Sequence, residues 1–313
     1  MAARYLTKRA TFTHGTTVSR ASVPIQSPNM IDMLPGQPHV GAFQDGPERI
    51  GSRFTQFPGL QLELRGQAAS GTVTPEGPVF QAMGFAKSGS TGFTFALGDP
   101  HSSTSVPAGS TTLLSSCAIT VDTQQHGLTS VVADGSFNFA AGEIPLLTAN
   151  LFGLASSAAL ATDSGLTTVV APTVVVGPLP ARWQAASVTI NGVGSLVVKS
   201  INVALNNAVR IPKDANATFA RSVPSIVSRG AGPLARILFE ADAAILIENL
   251  VLANASVVLQ WVYAAGGSTF KTMTYTMTAV PIGARWRDDE GVLGYEATFR
   301  QDPTTGPFTF AVT

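Results

Sequence analysis

The chain has 313 residues, enough for one large or two ordinary domains. Apolar residues make up 45% and charged residues only 12%, against ~25% in a usual soluble domain. A formal net charge of zero argues against a general nucleic-acid binder, which is normally clearly basic.

So few charges leave little to hold the surface apart from other copies of the chain, which favours burial of that surface in an assembly. A β-rich secreted domain with a Ser/Thr surface is the plainer reading of the same composition. The N-terminus, from Met1 to Arg9, lacks the apolar stretch of a signal peptide. The longest apolar run, 243–263, is interrupted by Glu248, Asn249, Asn254 and Gln260, so no membrane-spanning segment is expected.

The first 58 residues read as an extended N-terminal arm. Pro24, Pro28, Pro35, Pro38, Pro47 and Pro58 argue against a long helix or a central strand there, and such arms are either disordered or ordered on a neighbouring subunit. Beyond it, period-2 alternation dominates, beginning at Leu60-Gln61-Leu62-Glu63-Leu64-Arg65. Further strands are predicted over 118–122, 136–140, 146–152, 187–190, 201–205, 235–240, 257–263, 270–278 and 292–299. The run 270–278 is the clearest, with Thr or Lys on one face and larger side chains on the other. Turns are expected at Asp134-Gly135, Asn191-Gly192, Gly266-Gly267 and Glu290-Gly291. Short helices are expected at 242–252 and 154–161. The pattern is that of an all-β chain folded as an antiparallel β-sandwich or β-barrel.

A Pro/Gly cluster at 172–180 marks a boundary, dividing the chain into 1–58 (arm), 59–177 (first β domain) and 178–313 (second β domain). The order of features in the two β parts is alike: Ala118–Val121, a turn, Thr129–Val132 and Gly142–Phe152 in one; Ser187–Ile190, a turn, Val198–Ile201 and Gly230–Glu240 in the other. This reads as an internal duplication, or as the chance recurrence of Gly/Pro-then-strand patterns.

Charge is unevenly spread. No Lys or Arg lies between Lys87 and Arg182, while Asp99, Asp122, Asp134, Glu143 and Asp163 do. Bases gather in the arm (Arg4, Lys8, Arg9, Arg20) and between Lys199 and Arg236. The acidic middle and basic flanks are suited to pair across subunits; scattered solvated charges are the ordinary alternative.

The residues offer no assembled catalytic, cofactor or metal site, and none is assigned. Cys117 lies in an apolar run without a partner thiol, and reads as a small core residue of a chain matured in a reducing cytoplasm. His14, His39, His101 and His126 show no metal-ligand spacing. Gly192-Val193-Gly194 and Gly89-Ser90-Thr91-Gly92 match neither a phosphate loop nor a nucleophile elbow. Asp288-Asp289-Glu290 is a cation candidate or a charged hairpin tip. Glu240 and Asp242 are a weak acid/base pair. Arg210, Lys213, Arg221, Arg229 and Arg236 fall in one 27-residue span and suit carboxylates of another chain, nucleic-acid phosphates, or simple solvation of a long loop. With Phe219 the single aromatic there, a single-strand groove is disfavoured.

The runs Ala186–Gly192, Val198–Val209, Ser225–Gly230 and Ile237–Asp242 resemble the major tail tube proteins of long-tailed, non-contractile (siphovirus-type) bacteriophages and prophages. The ending, Tyr275–Pro281 and Asp289–Phe299, and the stretch Ser136–Phe152 are similar to the same family. The resemblance implies a β-sandwich or β-barrel tail-tube fold with a short flanking helix. It implies a structural, non-enzymatic virion protein made in the host bacterial cytoplasm. Its copies close into rings, hexameric or, if the chain is duplicated, trimeric and pseudo-hexameric. The rings stack into a tube through which double-stranded DNA passes, meeting terminator, tape measure and distal tail proteins. A tail terminator, a baseplate hub protein and a carbohydrate-binding β-sandwich are the alternatives. The last would present aromatic platforms, for which Trp183, Trp261 and Trp286 are the candidates.

Overall fold

The computed structural model describes residues 9–14, 17–22, 32–33, 38–39, 48–49, 54–64, 76–89, 93–98, 117–121, 124–155, 166–168, 181–184, 188–191, 196–210, 224–230, 232–240, 244–264, 272–289, 291–302 and 304–312. The N-terminal strands are β1 (Arg9–His14), β2 (Thr17–Ser22), β3 (Asp32–Met33), β4 (Pro38–His39), β5 (Glu48–Arg49) and β6 (Phe54–Glu63). Helix α1 (Gly77–Ala82) leads into β7 (Phe85–Ser88), β8 (Phe93–Leu97), β9 (Cys117–Val121), β10 (Gln124–Ala140), β11 (Leu146–Ala155) and β12 (Leu166–Thr168). Then come β13 (Thr189–Ile190), β14 (Val198–Ala204), β15 (Ala208–Arg210), β16 (Ser225–Ser228) and β17 (Leu234–Glu240). Helix α2 (Ala244–Ala253), β18 (Val257–Ala264), β19 (Thr272–Asp289), β20 (Val292–Gln301) and β21 (Thr309–Val312) complete the described chain.

Every pairing among these strands is antiparallel, as the alternating sequence predicts. A first sheet runs β6–β11–β10–β14–β17–β20 and ends on the C-terminal part of β19. A second sheet runs β13–β18–β19–β21–β8–β7, using the N-terminal part of the same β19. The register of β19 against β20 shifts between Pro281 and Gly283. Such a bulge bends a strand, and here it marks where β19 passes from one sheet to the other. β1, β2, β6, β11, β10 and β9 also pair in a closed ring, so that part of the chain forms a barrel.

The two sheets face each other across an aromatic core. Phe139 on the first sheet lies 5.1 Å from Tyr275 and 6.0 Å from Trp261 on the second. Trp261 stacks on Tyr275 at 5.4 Å and 4°. Phe80 of α1 meets Phe95, Phe137 and Phe310 at 5.4, 5.8 and 4.5 Å, so this short helix plugs one end of the sandwich. The clearest predicted strand alternates as expected: Met273, Tyr275, Met277 and Ala279 are fully buried, and the threonines between them are half-buried.

Three expectations are corrected. The first 58 residues contain strands β1–β5 and the start of β6. Pro58 is accommodated because the β6–β11 register skips it at an irregularity between Phe57 and Leu60. Asp134-Gly135 is not a turn but the middle of β10. Its glycine is needed for close approach, since a Cβ there would stand 2.3 Å from Met83 Cε and 2.4 Å from the Thr148 carbonyl oxygen. The start of the helix expected at 154–161 lies in β11 instead, and the rest of that span is outside the described residues. The turn expected at Gly266-Gly267 is also outside them.

The expected boundary at 177/178 is crossed by several pairings. β10 pairs with β14 from Ser136↔Ala204 to Ala140↔Ser200, and β8 pairs with β21. One buried cluster holds residues from both sides of it, among them Leu62, Phe95, Phe137, Trp183, Ile237, Trp261 and Phe310.

Candidate assembly surface

Most residues singled out in the sequence are dispersed. Arg210 sits on β15, Arg229 follows β16 and donates to the Gly98 carbonyl, and Arg236 projects from β17. These arginines therefore belong to three places rather than to one loop; Lys213 and Arg221 lie outside the described residues. Asp288 accepts from the Gly291 amide at 2.8 Å, and Gly291 takes φ +83°, so this cluster is a hairpin tip. Asp289 is used in a 2.7 Å ion pair with Lys199. Glu240 ends β17, exposed, and Asp242 is outside the described residues. His14, His39 and His126 fall on β1, β4 and β10, and Cys117 opens β9; His101 lies outside the described residues. Trp183 and Trp261 are buried in the core, which leaves Trp286 as the exposed one.

Register brings together what spacing did not. On the outward face of the first sheet, one row reads Glu63, Leu146, Asn138, Asn202, Arg236, Thr298 and Gly283. The adjacent row sets Leu238, Glu296 and Arg285 side by side. Arg285 donates from Nε and Nη2 to Glu296 Oε1, at 3.0 and 2.7 Å, and Arg287 donates from Nη1 to Oε2 at 2.7 Å. The Glu296 side chain is 10% exposed, while those of Arg285 and Arg287 are 71% and 53% exposed. Burial pushes the Glu296 carboxyl up, but the hydrogen bonds and charges of Arg287 and Arg285 outweigh it and hold it below its ordinary value. One carboxylate thus fixes two guanidinium groups whose remaining donors face outward. Arg236 stands beside them, and among the described residues it has no ion pair. Arg236, Gly283, Arg285, Glu296 and Thr298 line a shallow cleft of about 330 Å³.

The other side of the same strand is apolar. Trp286 is 51% exposed and meets Tyr295 edge-on at 4.9 Å, with Ile282 at 49% and Leu293 at 56% exposure nearby. Tyr295 in turn donates to Glu248 of α2 at 3.0 Å, so the helix flanks this corner. Residues 282–289 of β19 pair only with β20 among the described residues, leaving their outer row of backbone N–H and C=O groups as a free sheet edge. Trp and Arg on a strand edge are the residue types that dominate binding energy at protein interfaces.

The outward face of the second sheet is different in kind. One row holds Thr189, Gln260, Thr276, Thr309, Ala96 and Ala86; the next holds Val262, Thr274, Ala311, Thr94 and Ser88. Neither row contains a charged residue.

Two buried polar residues were not visible as such in the sequence. Asn207, 7% exposed, donates its Nδ2 to the carbonyls of Met83 and Ala133, at 2.9 and 3.0 Å, and its amide to Asp134 Oδ1 at 2.8 Å. Burial raises the Asp134 carboxyl above its ordinary value despite that bond. Glu76, at the start of α1, is 1% exposed, and its charge together with burial raises the Tyr275 hydroxyl. Asn207 thus ties the end of α1 to β10.

A scan against protein-family models finds no match for the chain, and a search of curated proteins likewise finds none.

Proposed function

We propose that this chain is a structural subunit that assembles with copies of itself, and that the assembly is the tail tube of a long-tailed, non-contractile bacteriophage. The observation that carries the self-assembly reading is the outer edge of β19, which pairs with no strand among the described residues and is flanked by exposed Trp286 on one side and by Arg285 and Arg287 on the other. An open edge with these side chains is a liability for a solitary molecule and an asset for one that closes with its neighbours. The likeness of Ser136–Phe152, Ala186–Gly192, Val198–Val209, Ser225–Gly230, Ile237–Asp242, Tyr275–Pro281 and Asp289–Phe299 to tail tube proteins gives the assembly its identity.

The uncharged face of the second sheet supports the further part of this reading, a conduit for double-stranded DNA. A threonine and alanine surface offers phosphates no cation to bind, so DNA slides past it; a face of arginines would retain it. The core shared across residue 177 supports one tube module per chain, and hence a hexameric rather than a trimeric ring. The burial of Trp183 and Trp261 removes two of the three aromatic platforms that a carbohydrate-binding sandwich would need. Negative-stain microscopy of concentrated protein tests the proposal: a tube subunit gives long stacked tubes, isolated rings point to a terminator instead, and the absence of both overturns the self-assembly reading.

A further inference from the structure

We infer that one specific contact between copies joins the Glu143 hairpin tip of one chain to the Arg236–Arg285 cleft of the next. The inference rests on the self-assembly reading and goes beyond it by naming the two surfaces that meet.

The first surface is the β10–β11 turn. Ala141, Gly142 and Glu143 are all exposed, and the turn is rigidly held. The Gly142 amide donates to the Trp183 carbonyl at 2.9 Å, the Trp183 amide donates back to the Glu143 carbonyl at 2.7 Å, and the Ala141 amide donates to Lys199 at 2.9 Å. Trp183 is itself fixed by its indole N–H on the Val262 carbonyl at 3.1 Å and by its ring against Phe139 at 5.6 Å. The backbone that carries Glu143 is therefore held in place, and among the described residues its exposed side chain forms no ion pair. Arg182, next to Trp183, does not pair with Glu143 either.

The second surface is the cleft. Glu296 pairs with Arg285 and Arg287, and Arg236, which lines the cleft beside Arg285, has no ion pair among the described residues. An incoming carboxylate relieves that excess of like charge and takes the donors Glu296 leaves unused.

Within one chain the two surfaces do not meet, since Glu143 forms no ion pair with Arg236 or Arg285 among the described residues. Ala140, Ser200, Leu238, Glu296 and Arg285 lie in one register row across β10, β14, β17, β20 and β19. The tip that follows Ala140 is thus two strands from β17 and four from β19, roughly 10 and 19 Å at one strand spacing each. The acidic tip and the basic cleft lie on different strands of one sheet, at the same end. Different surfaces that complement each other in this way pair head to tail, which closes rings or extends filaments. The charge distribution of the whole chain agrees: residues 88–181 carry five acids and no base, in a molecule of zero net charge.

Charge reversal tests the contact. Glu143→Lys and Arg236→Glu each alter an exposed side chain and leave the Glu296 ion pairs intact, and thermal melts of the two variants are compared with the parent as a control for folding. By sedimentation velocity over a concentration series, each reversal alone raises the concentration needed for self-association by at least about tenfold. The double variant in one chain recovers most of that loss, as does an equal mixture of the two single variants. Glu143→Gln, which keeps the shape, gives a smaller loss. Single reversals that associate like the parent, or a double variant no better than the singles, overturn this contact while leaving self-assembly standing. A parent chain that never associates overturns both.

Discussion

The two outward faces of the sandwich share one core and differ in what they offer. The second sheet presents rows of threonine, alanine, serine, valine and glutamine with no charge in them, while the first presents Arg236, Arg285 and Arg287 around a nearly buried Glu296 and ends in a free strand edge. Both faces are made partly by the same strand, β19, which changes character at its Pro281–Gly283 bulge. Before the bulge it alternates buried aromatic or sulfur side chains with threonine; after it, both sides are exposed. One chain segment thus builds part of an uncharged surface and part of a charged one, on either side of its bulge.

The largest effect is expected where the two faces depend on each other. Trp261→Ala removes a ring stacked on Tyr275 and in contact with Phe139 and Phe308. It is expected to cost about 3–5 kcal/mol in denaturant unfolding. Hydrogen exchange in that variant is expected to rise in strands of both sheets; a rise confined to one sheet would break the comparison by giving each face its own core. Next, Asn207→Leu strands the carbonyls of Met83 and Ala133, and is expected to cost about 1–3 kcal/mol by the same measurement.

A smaller effect, about 1 kcal/mol or less because the arginines are exposed, is expected for Glu296→Gln at low salt. Its signature is in pH. The folded-state value of Glu296 lies below its unfolded one, so its stabilising contribution is complete above the ordinary carboxylate range and is lost as pH falls through the lowered value. Unfolding midpoints followed from neutral pH into that acid range are expected to fall more steeply for the parent than for the variant, which sharpens the assignment of this carboxylate as the organiser of the charged face. The smallest effect on stability is expected for Thr276→Lys, within about 0.5 kcal/mol. Its consequence lies in DNA retention, measured by co-sedimentation of assembled protein with duplex DNA: retention is expected to rise and to fall again with salt. A lysine there that retains no more DNA than threonine would break the account of the passive face.

The strands were legible where alternation was strict. Leu60–Leu64, Met273–Ala279 and Val257–Tyr263 announce themselves, and so does the short helix after Glu240, because a half-buried strand must alternate and a flanking helix need not. The length of β10 was hidden by Asp134-Gly135, which has the composition of a turn but serves the close approach of Met83. The N-terminal strands were hidden by prolines, of which Pro38 opens β4 and Pro58 falls at an irregularity of β6. The candidate surface was hardly legible at all. Arg236 drew attention, but among the wrong neighbours in sequence, and the Arg285–Glu296–Arg287 group exists only through a register that depends on the bulge at Pro281. Nothing in the local sequence fixes that register, whereas the burial of Tyr295, Ala297 and Phe299 against β17 does.

The central claim is that the outer edge of β19 is covered by another copy of the chain. Amide hydrogen exchange of residues 282–289, measured by mass spectrometry at low and at high protein concentration, tests it most directly. The account predicts that these amides become protected as concentration rises, while the already paired strand β20 changes little. Equal exchange at both concentrations, in a sample shown to have assembled, would contradict it.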